Sequence, residues 1–189
     1  MPNYCNYSMR VVGKQRKNVE EFIKIMNADY NYGTMEFNSD RHMFRVFEAE
    51  SDEIVEREDG RFQVGISGYC AWSVRCCMFE EGYYRDLKKD YPKEFRGTTL
   101  LIESARLGID IEVYSEESGM CFQEHYVIIE GELVRDESVD YEEWWVEDYE
   151  TKEEAEEELE IEITDEEWAE GKSESCFTRG GFDNWDFEI

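Results

Sequence analysis

The chain has 189 residues, 48 of them acidic and 20 basic, for a formal net charge of −28 and a pI near 4.3. Such a chain repels nucleic acid and anionic membrane, because binding phosphate takes clustered Lys and Arg, so direct nucleic-acid binding is set aside as the main activity. Hydrophobic residues at 41% and aromatics at 15% supply material for a core, and no apolar run approaches the roughly 20 residues that span a bilayer.

The elements follow in chain order. Cys5, Tyr7, Met9 and Val11 recur with period two up to Gly13, which predicts a strand. Asn18 opens N-V-E-E, a helix-start pattern, and Val19, Phe22, Ile23 and Met26 continue at helical spacing. Residues 30–38 read as a turn-rich connection, Met43 to Ala49 as a second strand, Glu56 to Gly60 as a turn, and Phe62, Val64 and Ile66 as a third strand. Residues 69–79 are apolar and fit either a strand extension or a helix start. Pro92 breaks the mixed stretch that follows. Thr98 to Arg106 predicts a short helix closed by Gly108, and Ile109, Ile111 and Val113 a fourth strand. Ser118-Gly119 marks a turn, and Phe122 to Val134 reads as a fifth strand paired back on the fourth. The order β-α-β-β-α-β plus one strand predicts an α+β fold, a ferredoxin-like antiparallel sheet with both helices on one face.

The charge sets a boundary. Between Asp136 and Glu170, 35 residues carry 19 acids and one base, Lys152, whereas residues 1–135 carry 25 acids and 17 bases. We therefore divide the chain into a domain over 1–135 and an acidic, aromatic-containing C-terminal segment over 136–189 packed on it. Within that segment Thr151 with Glu154 and Thr164 with Glu167 fit the capping box, and Gly171 is placed to stop the second helix. Glu160 to Ile163 alternates like a short strand, and Gly180-Gly181 reads as a turn before a final strand. Ala155, Leu159 and Trp168 are expected to face inward.

The opening M-P-N-Y-C-N-Y-S-M-R-V-V-G resembles the start of the YubB-like ferredoxin-like domain family of plasmids and phages, through Met1, Pro2, Asn3, Cys5 and Gly13, with Tyr4 in place of the usual Trp. Ala71-Trp72-Ser73 is similar to that family's central W-S segment, and residues 109–134 to its late hairpin. The resemblance spans about residues 1–135. It implies a ferredoxin-like fold and a mobile-element origin, and no enzymatic chemistry.

Motifs for catalysis are missing from the sequence. There is no P-loop, no G-x-G-x-x-G, no H-E-x-x-H and no C-x-x-C, and only two histidines, His42 and His125, are available to pair with a nucleophile. The six cysteines lack both disulfide-framework and zinc spacing, and Cys76-Cys77 on a strand would point to opposite faces, so they read as small buried hydrophobes in a reducing, cytoplasmic setting. No catalytic residue, metal site or cofactor is assigned. The expected activity is binding: a phage- or plasmid-derived inhibitor, specifically an anti-CRISPR protein, acting in the host bacterial cytoplasm. Its carboxylates would mimic nucleic acid in the basic groove of a Cas nuclease and block guide or target. The expected contact residues are Asp140, Glu142, Glu143, Glu147, Asp148, Glu153, Glu154, Glu157 and Glu158, with Trp144 and Trp145 as anchors. A metal-dependent nuclease acting on guide RNA or DNA, or a non-catalytic structural protein of the mobile element, are the alternatives. A homodimer through a strand edge or sheet face stays open.

Overall fold

The structure, a computed structural model, describes residues 3–31, 36–39, 41–79, 97–174 and 176–189. Among these residues the protein is α+β. Eight strands form an antiparallel sheet in the order β10-β9-β8-β7-β1-β6-β4, with β5 pairing beside β4's position on β6. The strands are β1 (Tyr4–Gly13), β4 (Val46–Ser51), β5 (Val55–Glu56), β6 (Phe62–Ala71), β7 (Ile109–Glu117), β8 (Phe122–Ile129), β9 (Glu132–Trp145) and β10 (Cys176–Gly180). A two-residue ribbon, β2 (Tyr30–Asn31) with β3 (Glu36–Phe37), occupies the connection read as turn-rich. The helices are α1 (Arg16–Met26), α2 (Val74–Met78), α3 (Leu100–Leu107), α4 (Lys152–Leu159) and α5 (Asp165–Glu174). The chain divides into two compact units, 1–138 with 184–189, and 139–183.

In the first unit the period-two pattern decides which way each strand faces. Register places Met9 between Ile66 and Val113, and Val11 between Val64 and Ile111. These side chains, with Cys5, Tyr126 and Ile128, form one buried face. Val19, Phe22, Ile25 and Met26 of α1, Val74, Cys77 and Met78 of α2, and Leu100 and Leu107 of α3 pack on it, so all three helices share that side. Full burial of each such side chain contributes about 1.5–3 kcal/mol. The second unit has its own small core of Val146, Ala155 and Ile163, against which Trp144, Tyr149, Leu159, Ile161 and Trp168 pack.

Several predicted boundaries are corrected. Asn18 does not cap α1: the helix begins at Arg16, and the Asn18 amide instead donates to the Leu107 carbonyl at 2.6 Å, satisfying an end group of α3. The second strand starts at Val46 because Arg45 takes a left-handed φ of 52°. Residues 69–79 hold both alternatives, since β6 runs to Ala71 and Ser73 then caps α2, its Oγ accepting from Cys76 N. Cys76 and Cys77 therefore lie on a helix. Residues 122–134 are not one strand. Glu130 and Gly131, at φ 51° and 87°, form a two-residue turn of the kind that suits a twisted hairpin. Gly171 does not stop α5 but lies buried inside it, at a helix cost of only about 1 kcal/mol. Glu160 to Ile163 forms no strand, because Glu160 at φ 56° ends α4 and Ile163 turns into the unit's core. Pro92 lies outside the described residues.

Candidate binding surface

The acidic unit, Val139–Asp183, carries 19 acids against three bases. Local chemistry holds it in shape. Thr151 Oγ accepts from Glu154 N at 3.2 Å and caps α4. Thr164 and Glu167 close a reciprocal box before α5, with Glu167 N to Thr164 Oγ at 3.1 Å and Thr164 N to Glu167 Oε2 at 2.7 Å. The second pair holds the Glu167 carboxyl below its usual range, chiefly through the backbone N–H of Thr164. β10 pairs with the end of β9, Arg179 facing Glu142 and Thr178 facing Glu143.

All three bases are used inside the unit. Lys152 Nζ binds Asp165 at 2.6 Å, which raises the lysine pKa and lowers that of the aspartate. Arg179 donates to the Glu162 carbonyl at 2.6 Å and pairs with Glu167 at 3.5 Å. Lys172 lies 5.2 Å over the Trp168 ring.

The expected contact residues fall on the outside of this scaffold. Asp140, Glu142, Asp148, Glu153, Glu154, Glu157 and Glu158 are exposed, and Glu143 is half-buried. Glu154 accepts from Glu150 N at 2.8 Å. Among the described residues the side chains of the other seven make no ion pair or hydrogen bond. Ala155 points α4 inward and leaves Glu153, Glu154, Glu157 and Glu158 outward. The two tryptophans part company: Trp144 packs on the unit's core, while Trp145 is 49% exposed. The side chain of Glu147 is outside the described set.

No protein-family model, curated protein or solved structure matches this chain.

The first unit holds a different kind of chemistry, in its interior. Cys5, Cys70, Cys76 and Cys77 are buried free thiols. Hydrogen bonding with Cys5 and Cys77, together with burial, pushes the Cys70 thiol well above its ordinary value, which makes it a poor nucleophile and metal ligand. Among the described residues no group of three His, Cys, Asp or Glu is arranged to hold a metal, and no helix is long and apolar enough to cross a membrane.

Three buried carboxylates are met by matched donors. Burial pushes Glu103 up, but Thr98, Arg41 and Arg106 outweigh it and hold the carboxyl low. Thr98 Oγ1 donates at 2.5 Å and Arg106 Nε at 2.7 Å. Glu124 is pushed up by burial, although it accepts from Ser115 Oγ at 2.7 Å, Tyr126 OH at 2.8 Å and the N–H groups of Val74 at 2.9 Å and Arg75 at 3.4 Å.

Glu112 is the third. It sits on the sheet face opposite the helices, with its Oε1 2.8 Å from His125 Nε2. Its Oε2 accepts the backbone N–H groups of Glu188 at 2.6 Å and Ile189 at 3.0 Å. Segment 184–189 thus lies on this face and, among the described residues, pairs with no strand, which corrects the predicted final strand: a side chain, not a ladder, takes its last two N–H groups. The sequence reads only as a strand after the Gly180-Gly181 turn. That reading missed the seat, whose residues are spread from β1 to β9.

Proposed function

We propose that this is a binding protein whose acidic unit docks on a basic surface that normally tracks a nucleic-acid backbone. The observation that carries the reading is the asymmetry of pairing in Val139–Asp183: every base is consumed within the unit, while the side chains of six exposed acids, Asp140, Glu142, Asp148, Glu153, Glu157 and Glu158, have no partner among the described residues. Crowding like charges costs stability, and an ordered scaffold fixes their pattern. Glu153, Glu154, Glu157 and Glu158 on α4, and Asp140, Glu142 and Glu143 on β9, are the contacts, with Trp145 as the exposed aromatic anchor.

The order β7-β1-β6-β4, with α1 between β1 and β4 and α3 between β6 and β7, supports a ferredoxin-like core extended at its β7 edge. Taken with the opening motif, this directs the reading to a mobile-element inhibitor in the bacterial cytoplasm, and to a Cas nuclease as the partner, blocked by anti-CRISPR mimicry. The test is binding of purified chain to such nucleases at about 50 and about 500 mM salt, beside a variant with Glu153, Glu154, Glu157 and Glu158 changed to Gln. Binding that falls with salt, falls with the variant and is competed by nucleic acid supports mimicry. Binding indifferent to all three refutes it.

A further inference from the structure

The face that carries segment 184–189 meets it with groups of matching chemistry. Arg10 Nη1 donates to the carbonyls of Phe187 and Ile189, each at 3.3 Å, and its guanidinium lies 4.8 Å over the Phe187 ring. Glu112 takes two successive main-chain N–H groups. Tyr114 OH donates to the Asp186 carbonyl at 3.2 Å, while its ring stacks on Trp185 at 5.6 Å and meets Phe187 edge-on at 5.5 Å. Arg135 Nη1 holds the Glu188 carboxylate at 2.8 Å. Main-chain donors, main-chain acceptors, aromatic rings and an acidic side chain are each met by a complementary group, as in recognition of a peptide ligand.

A second layer of contacts orients groups that the segment meets. Arg135 can only donate, and it lies 3.4 Å from His125 Nδ1, so that nitrogen accepts and the ring hydrogen sits on Nε2, directed at Glu112. The His125 ring stacks on Tyr114 at 3.8 Å. Two of the side chains that the segment meets, Glu112 and Tyr114, are thereby oriented by neighbours on β8 and β9.

We propose that this face is a peptide-recognition groove for aromatic-x-aromatic-acidic-aliphatic sequences, occupied in cis by Trp185–Ile189 and open to a partner peptide of the same chemistry when that segment lifts. The groove lies in the first unit and does not depend on the role assigned to the acidic one. A tethered ligand outcompetes a free one through effective concentrations in the millimolar range, so a partner binds when the segment is displaced or weakened.

The probe is a fluorescein-labelled peptide of residues 184–189, added to the full-length chain bearing Trp185→Ala and Phe187→Ala. Saturable binding is expected, at least about ten-fold tighter than to the unaltered chain, whose own segment holds the site. Peptides with Ala at the Phe187 or Glu188 position should bind about ten-fold more weakly. A second measurement uses the unaltered chain: peptide in millimolar excess should speed hydrogen exchange at the Glu188 and Ile189 amides, because it captures the vacated groove. No binding to the folded variant, equal binding of a scrambled peptide, or unchanged exchange would each overturn the proposal.

Discussion

Changing Glu112 to Gln isolates the chemistry of the groove. The carboxylate offers two oxygens to three donors, with His125 on one side and the Glu188 and Ile189 amides on the other. Glutamine keeps one oxygen. If that oxygen serves the segment, the new NH₂ opposes the hydrogen on His125 Nε2, and the ring cannot move its hydrogen to Nδ1 because Arg135 already donates there. If the oxygen serves His125, two main-chain N–H groups face an NH₂ instead. Either arrangement leaves buried donors unmatched, at about 1–3 kcal/mol each, and loses a charge-assisted bond, for a total of roughly 3 kcal/mol. For a chain of this size that corresponds to a fall of roughly 6–12 °C in melting temperature. Calorimetry reads the fall, and hydrogen exchange should place lost protection at Glu188 and Ile189. A melting temperature within about 2 °C of wild type, with both amides still protected, would refute the donor accounting.

Two other perturbations probe the rest of the molecule. Glu103 has its folded pKa held below the unfolded value, so its contribution is present above the ordinary carboxylate range and is lost as pH falls through the folded pKa. Glu103→Gln should therefore destabilise at neutral pH by about 2 kcal/mol, since Arg41 and Arg106 reach solvent, and should flatten the acid limb of denaturant-derived stability; an acid limb parallel to wild type would count against it. On α4, Glu153 with Glu157 and Glu154 with Glu158 are like charges at i,i+4. Changing Glu157 and Glu158 together to Gln should stabilise by about 0.4–1 kcal/mol in urea melts at low salt and by less at high salt, whereas a loss of stability would mean these acids support the fold.

Local signals explain most of what was legible in the sequence. The alternation of Cys5, Tyr7, Met9 and Val11 needs only the pleat, and Thr151, Thr164 and Thr99 cap helices through bonds three residues away. Misreadings arose where one local signal served another end. Asn18 looks like a cap but spends its amide on Leu107, 89 positions along. Glu130 hides a turn because a glutamate at positive φ breaks no hydrophobic rhythm. Its partner Gly131 is a glycine for two reasons, a φ of 87° and a would-be Cβ only 2.5 Å from that of Ala105. The acidic unit was visible as composition, but not that Lys152, Lys172 and Arg179 are absorbed within it. The groove gathers Arg10, Glu112, Tyr114, His125 and Arg135, and no window of sequence contains both its first and last members.

Glu124 has a bearing on the order in which the chain assembles. Helix α2 has only five residues, well below the length at which a helix sustains itself in water. Its first N–H groups, at Val74 and Arg75, are held by a carboxylate that comes from about 50 positions later in the chain. That carboxylate is in turn held by Ser115 and Tyr126, on β7 and β8. The β7–β8 hairpin closes over a short loop and can form early, whereas the first N–H groups of α2 lack their carboxylate acceptor until the hairpin arrives. The start of this helix is thus completed only by strands that the ribosome delivers some forty residues later.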